Sequence, residues 1–209
     1  MKLYSTVLNE AIYEEIIDKS KFIAYVKPVE SRDEAEAYIS YIKKQNRDAT
    51  HNVPAMVIGE NMNLQWASDD GEPQGTAGSP IIKMLVALKI TNVVVVVTRY
   101  FGGIKLGTGG LVRAYTKTVQ KALDEANIVD VVLKKKIDFD VDYTYFNKIQ
   151  SIGQEGFLEI LETNYTDKVN VTIAVENEAE TLKLLNNITA GSININNMEN
   201  ICTKSLRKS

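Results

Sequence analysis

The segment Thr98-Arg99-Tyr100-Phe101-Gly102-Gly103-Ile104-Lys105-Leu106-Gly107-Thr108-Gly109-Gly110 holds five glycines within nine residues and sets Arg99 and Lys105 beside them. Backbone N–H groups uncovered by glycine, together with flanking cations, suit phosphate. A second loop of the same kind, Gly75-Thr76-Ala77-Gly78-Ser79, also feeds a helix. Each helix start exposes unpaired N–H groups and the positive end of a macrodipole, and the hydroxyls of Thr76, Ser79 and Thr108 add donors. Neither the P-loop spacing nor the dinucleotide-binding fingerprint occurs, so nucleotide hydrolysis is not indicated. Tight turns alone also use glycine, so turn geometry remains the alternative reading of both loops.

The charge distribution favours an anionic partner. Seven of the 24 basic residues (Lys83, Lys89, Arg99, Lys105, Arg113, Lys117 and Lys121) lie between Pro73 and Leu123, and none of the 27 acidic residues does. A formal net charge of −3 therefore conceals a cationic, glycine-rich segment in an otherwise acidic protein. Just before it, Ser68-Asp69-Asp70-Gly71-Glu72 forms a dense acidic turn. That turn would hold magnesium, act as an acid–base pair, or serve as a solvated turn using local Asp and Gly chemistry. His51 has no cysteine or nucleophile nearby and reads as structural. Tyr100 and Phe101 would stack on the bases of a single strand or plug the core at a strand end.

The elements that position these residues follow from periodicity. Phe22 to Val26 reads as a strand. Ser31 and Glu34 form a capping box opening a helix whose buried face is Ala35, Tyr38, Ile39 and Ile42. Val53 to Ile58 and Leu64 to Ala67 read as strands, with Pro54 at a ladder position that needs no donor. Ser79 as N-cap and Pro80 at the first helical position open a helix over 81–88. Asn92 to Thr98 is a five-valine strand buried on both faces. Leu111 to Ala126 is the longest helix; Leu111, Val112, Tyr115, Val119, Ala122 and Leu123 line its apolar side, and Arg113, Lys117 and Lys121 the opposite side. Beyond a boundary near 131–136 the order is strand (137–143), helix (144–156), strand (158–164), strand (168–176), helix (178–189), strand (192–198). This is the ferredoxin-like βαββαβ plan.

Composition bounds the function. The chain has 209 residues with 44% hydrophobic and 24% charged residues, as expected of an ordinary globular protein. No apolar run approaches the ~20 residues that span a bilayer, and the N-terminal residues lack the apolar stretch of a signal peptide. A single cysteine, Cys202, and a single histidine leave no internal disulfide and no zinc set. A cytoplasmic protein without a membrane partner, cofactor or bound metal is the expectation.

The stretches Gly71-Glu72-Pro73-Gln74-Gly75-Thr76-Ala77-Gly78-Ser79-Pro80-Ile81 and Thr98 to Tyr115 resemble the signature of the YigZ/IMPACT family, and Ser20 to Ala24 and Ala49 to Asn52 also fit. The resemblance implies an α+β protein of two α/β sandwich domains. Residues 1–132 would be like domain two of small-subunit ribosomal protein five, a superfamily that includes domain four of elongation factor G. Residues 136–200 would be ferredoxin-like, resembling domain five of that factor. Two such modules in this order imply contact with RNA or the ribosome, by fold analogy. The eukaryotic relatives regulate translation initiation through the general-control kinase pathway with an additional N-terminal partner-binding domain, for which this sequence shows no counterpart. Val53 stands where many relatives carry cysteine, which removes cysteine chemistry there. The family supplies no catalytic residues to transfer.

These readings combine into a non-enzymatic, RNA- or ribosome-binding regulator of translation. Its binding residues would be Arg99, Tyr100, Gly102, Gly103, Lys105, Gly107, Thr108, Gly109, Gly110, Arg113, Lys117 and Lys121, with Gly75, Thr76, Gly78 and Ser79 at the other helix start. The alternative is an enzyme acting on a phosphorylated small molecule or nucleotide, with phosphate at the two glycine loops and Asp69, Asp70 or Glu72 as base or magnesium ligand. A third is a protein-interaction adaptor binding a translation factor through exposed apolar surface.

Overall fold

The computed structural model describes residues 1–207. It divides into two compact units, one of residues 3–131 with residues 204–207, the other of residues 132–203 with Met1 and Lys2. The chain runs β1 (Lys2–Val7), β2 (Ala11–Ile17), β3 (Ser20–Pro28), α1 (Arg32–Gln45), β4 (His51–Ile58), β5 (Leu64–Ala67), α2 (Gly78–Ala87), β6 (Val93–Tyr100), α3 (Gly107–Ala126), β7 (Ile128–Val141), α4 (Tyr143–Gln154), β8 (Glu159–Tyr165), β9 (Val169–Val175), α5 (Glu178–Ile188) and β10 (Asn194–Leu206). No helix among the described residues is long and apolar enough to cross a membrane.

The first unit is built on a sheet of order β2-β3-β6-β4-β5, antiparallel throughout. Its central strand β6 carries Val93 to Val97, all fully buried, because helices cover both faces. Val93, Val95 and Val97 pack with Ile81 and Leu85 of α2 and with Leu111, Tyr115, Val119 and Leu123 of α3. Val94 and Val96 pack with Ala35, Tyr38, Ile39 and Ile42 of α1. Alternation therefore feeds two cores from one strand, and at about 1.5–3 kcal/mol per buried valine this strand is a main source of stability.

Several boundaries move from their sequence-based positions, each for a local reason. The strands β1 and β2 escape the reading because the β2–β3 hairpin turns on Asp18 and Lys19, both at positive φ, without the glycine that normally marks such a turn. Ser31 does cap α1 by accepting from the Glu34 N–H, but Glu34 accepts in return from the N–H of Glu30 rather than of Ser31. Strand β4 begins at His51, so Pro54 lies inside it, just beyond the last residue paired to β5. The helix α2 begins at Gly78 with Ala77 as N-cap, two residues ahead of the expected Ser79 cap and Pro80 start, and α3 begins at Gly107 rather than Leu111. Val112 is half-buried rather than core.

In the second unit β7, β9 and β8 lie side by side in that order and β10 also pairs with β7, while α4 and α5 supply the core with Phe146, Ile149, Leu185 and Ile188 against Ile137, Phe139, Val171 and Ile173. This is the ferredoxin-like arrangement the element order implied. Gly156, at φ +85°, closes α4, and the Phe157 N–H returns to the Ile152 carbonyl at 3.3 Å. The stretch 131–136, read as a connection, is strand, and β10 runs on to Leu206.

Gly102 fixes how the glycine-rich loop leaves the sheet. A Cβ there would lie 2.0 Å from the Lys19 carbonyl oxygen and 2.5 Å from the Ser20 nitrogen, backbone atoms that cannot yield. Gly102→Ala is expected to destabilise the protein by about 1–3 kcal/mol. Gly109→Ala, whose nearest neighbour is the Arg113 guanidinium at 3.7 Å, is expected to be neutral or slightly stabilising. Chemical denaturation of both variants checks the contrast.

Candidate functional site

The two glycine-bearing helix starts, alike in sequence, differ in occupancy. At α2 an anion is already present. The Asp69 carboxylate accepts from the N–H of Gly75 at 2.7 Å through Oδ2, and from Ala77 at 3.1 Å and Gly78 at 2.8 Å through Oδ1. Thr76 turns inward, its hydroxyl donating to the Pro73 carbonyl at 2.6 Å, and Ser79 stays exposed. The loop holds a carboxylate with the donors expected for phosphate, and the chain itself provides it. A Cβ on Gly78 would come within 2.8 Å of the Ser68 carbonyl, so glycine also lets the acidic turn approach the helix.

The other two acids of the turn are engaged separately. Asp70 Oδ1 pairs with Lys43 Nζ at 2.6 Å, and its Oδ2 accepts from the Asn52 N–H at 2.7 Å. Burial alone would raise the Asp70 carboxyl, but the Lys43 ammonium and the Asn52 N–H outweigh it and hold it below the usual carboxylate range. His51 Nδ1 lies 2.8 Å from the Asp70 carbonyl, an acceptor only, which places the ring proton on Nδ1.

Glu72 is the centre of a buried network. Its Oε1 accepts from Arg99 Nη1 at 2.7 Å and from the Tyr115 hydroxyl at 2.7 Å, while His51 Nε2 stands 3.8 Å from Oε2. The Glu72 and Arg99 side chains are only 3% and 6% exposed, so the pair lies out of water. Burial, then the Glu72 carboxylate, push the Tyr115 phenol far above its usual value, so it stays a donor. The Arg99 guanidinium lies over the rings of Phe22, at 5.3 Å, and Phe101, at 5.4 Å. Arg99 thus joins β6 to α3 and to the acidic turn instead of facing solvent. Asp69, Asp70 and Glu72 each serve a different partner.

The N-terminus of α3 is built differently. Leu106 at its N-cap makes no side-chain capping bond, and the first turn contains no acid. Ile104, Lys105, Gly107, Thr108 and Gly109 are exposed, as is Gly103 before them. Arg113 reaches back to within 3.7 Å of a Cβ placed on Gly109. Arg113, Lys117 and Lys121 are exposed on one face. Lys117 is committed to Glu15 at 2.5 Å, whereas Lys105, Arg113 and Lys121 make no ion pair among the described residues. Tyr100 leaves the site: its hydroxyl donates toward Asn46 Oδ1 at 3.2 Å and Asp48 Oδ1 at 3.3 Å.

The structure therefore brings together Lys105, Gly107 to Gly110 and Arg113, with Lys121 farther along the helix. It separates from them Arg99, Tyr100 and the self-occupied loop Gly75 to Ser79. Sequence reasoning missed the capping role of Asp69 and the Glu72–Arg99–Tyr115 network. The signal for the latter was Tyr115 on the apolar side of α3, where its hydroxyl needed a partner.

The architecture and this site define a two-unit α+β protein with a glycine-rich, cationic helix start. Residues 18–123 match the family described as the Impact N-terminal domain. IMPACT family member YvyE of Bacillus subtilis is 43% identical over 178 residues, 85% of this chain and 82% of that protein. IMPACT family member YigZ of Escherichia coli is 32% identical over 163 residues, 77% of this chain and 80% of that protein. A solved structure described only as that of an hypothetical protein superposes with a TM-score of 0.60 at 29% identity, covering 93% of this chain and 97% of the other. The chain belongs to the IMPACT family.

Removing Glu72 leaves Arg99 buried without its counter-ion. Glu72→Ala is expected to cost about 3–5 kcal/mol, the range for breaking a buried pair, in equilibrium unfolding. Asp70 makes a pH-dependent contribution of known sign. Its folded carboxyl is lowered, so its stabilisation is complete above the unfolded value of about 4 and is lost as pH falls through the folded value. The stability gap between wild type and Asp70→Asn should be constant from neutral pH down to about 5 and shrink below about 4. Urea titrations at several pH values check this.

Proposed function

We propose that this IMPACT-family protein is a non-enzymatic, cytoplasmic regulator of translation that contacts RNA or the ribosome through the N-terminal end of α3. The observation that carries the reading is the contrast between the two helix starts. At α2 the donors are filled by Asp69, whereas α3 starts exposed, without a capping side chain and without an acid in its first turn. Backbone N–H groups of Gly107 to Gly110 would meet one phosphate, and Lys105, Arg113 and Lys121 would neutralise its neighbours. Thr108 adds a hydroxyl. The self-occupied loop at α2 and the separately engaged acids weigh against the alternative of an enzyme for phosphorylated small molecules, which needs both loops and a free carboxylate in one place. We extend the proposal to the chain's organisation: residues 1–132 and 136–200 act as two domains, the second of the type of elongation factor G domain five.

Sedimentation with ribosomes from the source cell at low and high salt tests the reading. Three neutralised phosphates predict a log–log salt slope of magnitude about 2, at about 0.7 per phosphate on single strands. The pair Arg113→Glu/Lys121→Glu is expected to abolish pelleting while leaving the melting temperature unchanged. Pelleting that ignores both salt and charge reversal would overturn the proposal, as would its absence at low salt.

A further inference from the structure

We infer that the base of an unpaired nucleotide stacks on Phe101, so that the cationic segment selects single-stranded over duplex nucleic acid; this rests on the proposed phosphate contact at α3. Phe101 is 45% exposed, whereas Arg99 beneath it is 5% exposed. The Arg99 guanidinium lies between two rings, 5.3 Å from the centroid of Phe22 and 5.4 Å from that of Phe101. Phe22 is itself locked edge-on to Tyr115 at 5.3 Å. The stack Phe22–Arg99–Phe101 thus rises from the core to the surface, and its outermost layer is an aromatic ring.

Three features make this ring a platform rather than a loose side chain. Glu72 fixes Arg99 through Nη1 at 2.7 Å, so the cation beneath the ring does not wander. The Phe101 N–H donates to Thr50 Oγ1 at 3.0 Å, and the Gly102 N–H to Ser20 Oγ at 3.2 Å, anchoring the backbone on both sides. Arg99 Nε has no hydrogen-bond partner among the described residues, an unmet donor accepted for a position between the two rings. A ring held this way loses little entropy on stacking, and every base offers a π face. Tyr100 does not compete, since its hydroxyl is tied to Asn46 and Asp48. Phe101 and Gly107 are six residues apart in sequence, at most about 20 Å even if fully extended. A few nucleotides of single strand therefore reach from the ring to the helix start. Bases within a duplex are already stacked and do not present a face to Phe101.

The test is fluorescence anisotropy with a labelled oligouridylate and an RNA duplex of the same strand length, at low salt, for wild type, Phe101→Ala, Phe101→Leu, Phe101→Trp and Arg113→Glu/Lys121→Glu. The single strand is expected to bind more tightly. Phe101→Ala should weaken it about 5- to 100-fold and Phe101→Leu similarly, although leucine still covers Arg99. Phe101→Trp should bind like wild type, and duplex binding should not change in any Phe101 variant. Thermal melts establish that the variants are folded, with Phe101→Leu and Phe101→Trp separating loss of the ring from loss of cover over Arg99. Single-strand binding equal in wild type and Phe101→Leu, yet lost on charge reversal, overturns the stacking and leaves the phosphate reading standing. Equal loss of single strand and duplex in the Phe101 variants also overturns it. Retention of single-strand binding after charge reversal overturns the phosphate reading itself, and the stacking inference with it.

Discussion

The ion pair of Glu72 with Arg99 is the constraint from which the rest of the site follows. Arg99 sits near the end of the central strand, Glu72 in the turn before α2, and Tyr115 on the buried face of α3, about two turns from its start. One carboxylate oxygen accepts from both partners, so strand, turn and helix are held at a single point. A buried pair of this kind adds little net stability, because desolvation offsets much of the attraction. Its value is positional. An unpaired partner would be costly, so the only low-energy arrangement is the one that brings the three elements together. Phe101 above and the glycine-rich exit to α3 inherit that position.

Within this frame, the two glycine loops show one physical motif used in two ways. Uncovered N–H groups at a helix start need an acceptor. At α2 the acceptor is Asp69, eight and nine residues upstream of the two donors that share its Oδ1. The helix is thereby capped from a distance although its own N-cap residue, Ala77, has no suitable side chain. At α3 no residue of the first turn plays this part, and the helix begins at the surface. The difference between closed and open starts is set by whether a carboxylate lies within reach, not by the glycine pattern.

That distinction explains what the sequence could and could not disclose. The core was legible because its signals are local, although the antiparallel pairing of its strands was not among them. Five consecutive valines read as a strand buried on both faces, the Ala35, Tyr38, Ile39, Ile42 spacing marked the face of α1, and the βαββαβ order of the second unit followed from element types alone. The hairpin of β2 and β3 was hidden because Asp18-Lys19 adopts positive φ without glycine, which no propensity rule anticipates. At the site, the exposure of Arg113, Lys117 and Lys121 followed from helical periodicity. The fate of the individual charges did not. Arg99 falls on the same face of β6 as Val93, Val95 and Val97, but its partner lies 27 residues away, and Lys117 meets Glu15 at a separation of 102 residues. Pairing at such distances is a property of topology, which composition and spacing do not encode.

The cationic character of the segment is therefore smaller at the surface than in the sequence. Arg99 is neutralised by Glu72 and Lys117 by Glu15, which leaves Lys105, Arg113 and, farther along the helix, Lys121 on the α3 side, with Lys83 and Lys89 exposed on the α2 side. Three charges and a few amides give a modest electrostatic footprint beside the 6–10 phosphate contacts with which a strongly salt-dependent nucleic-acid binder works. On the proposed reading, a surface of this size would not hold nucleic acid by charge alone. It gains from any contact whose strength does not depend on salt, and from rigid placement of the few groups it has, because ordering them on binding would consume the small interaction energy available. The buried Glu72–Arg99–Tyr115 network provides that rigidity. The acid-free segment thus divides its cations, with Arg99 turned inward to hold the scaffold and Lys105, Arg113 and Lys121 turned outward to solvent.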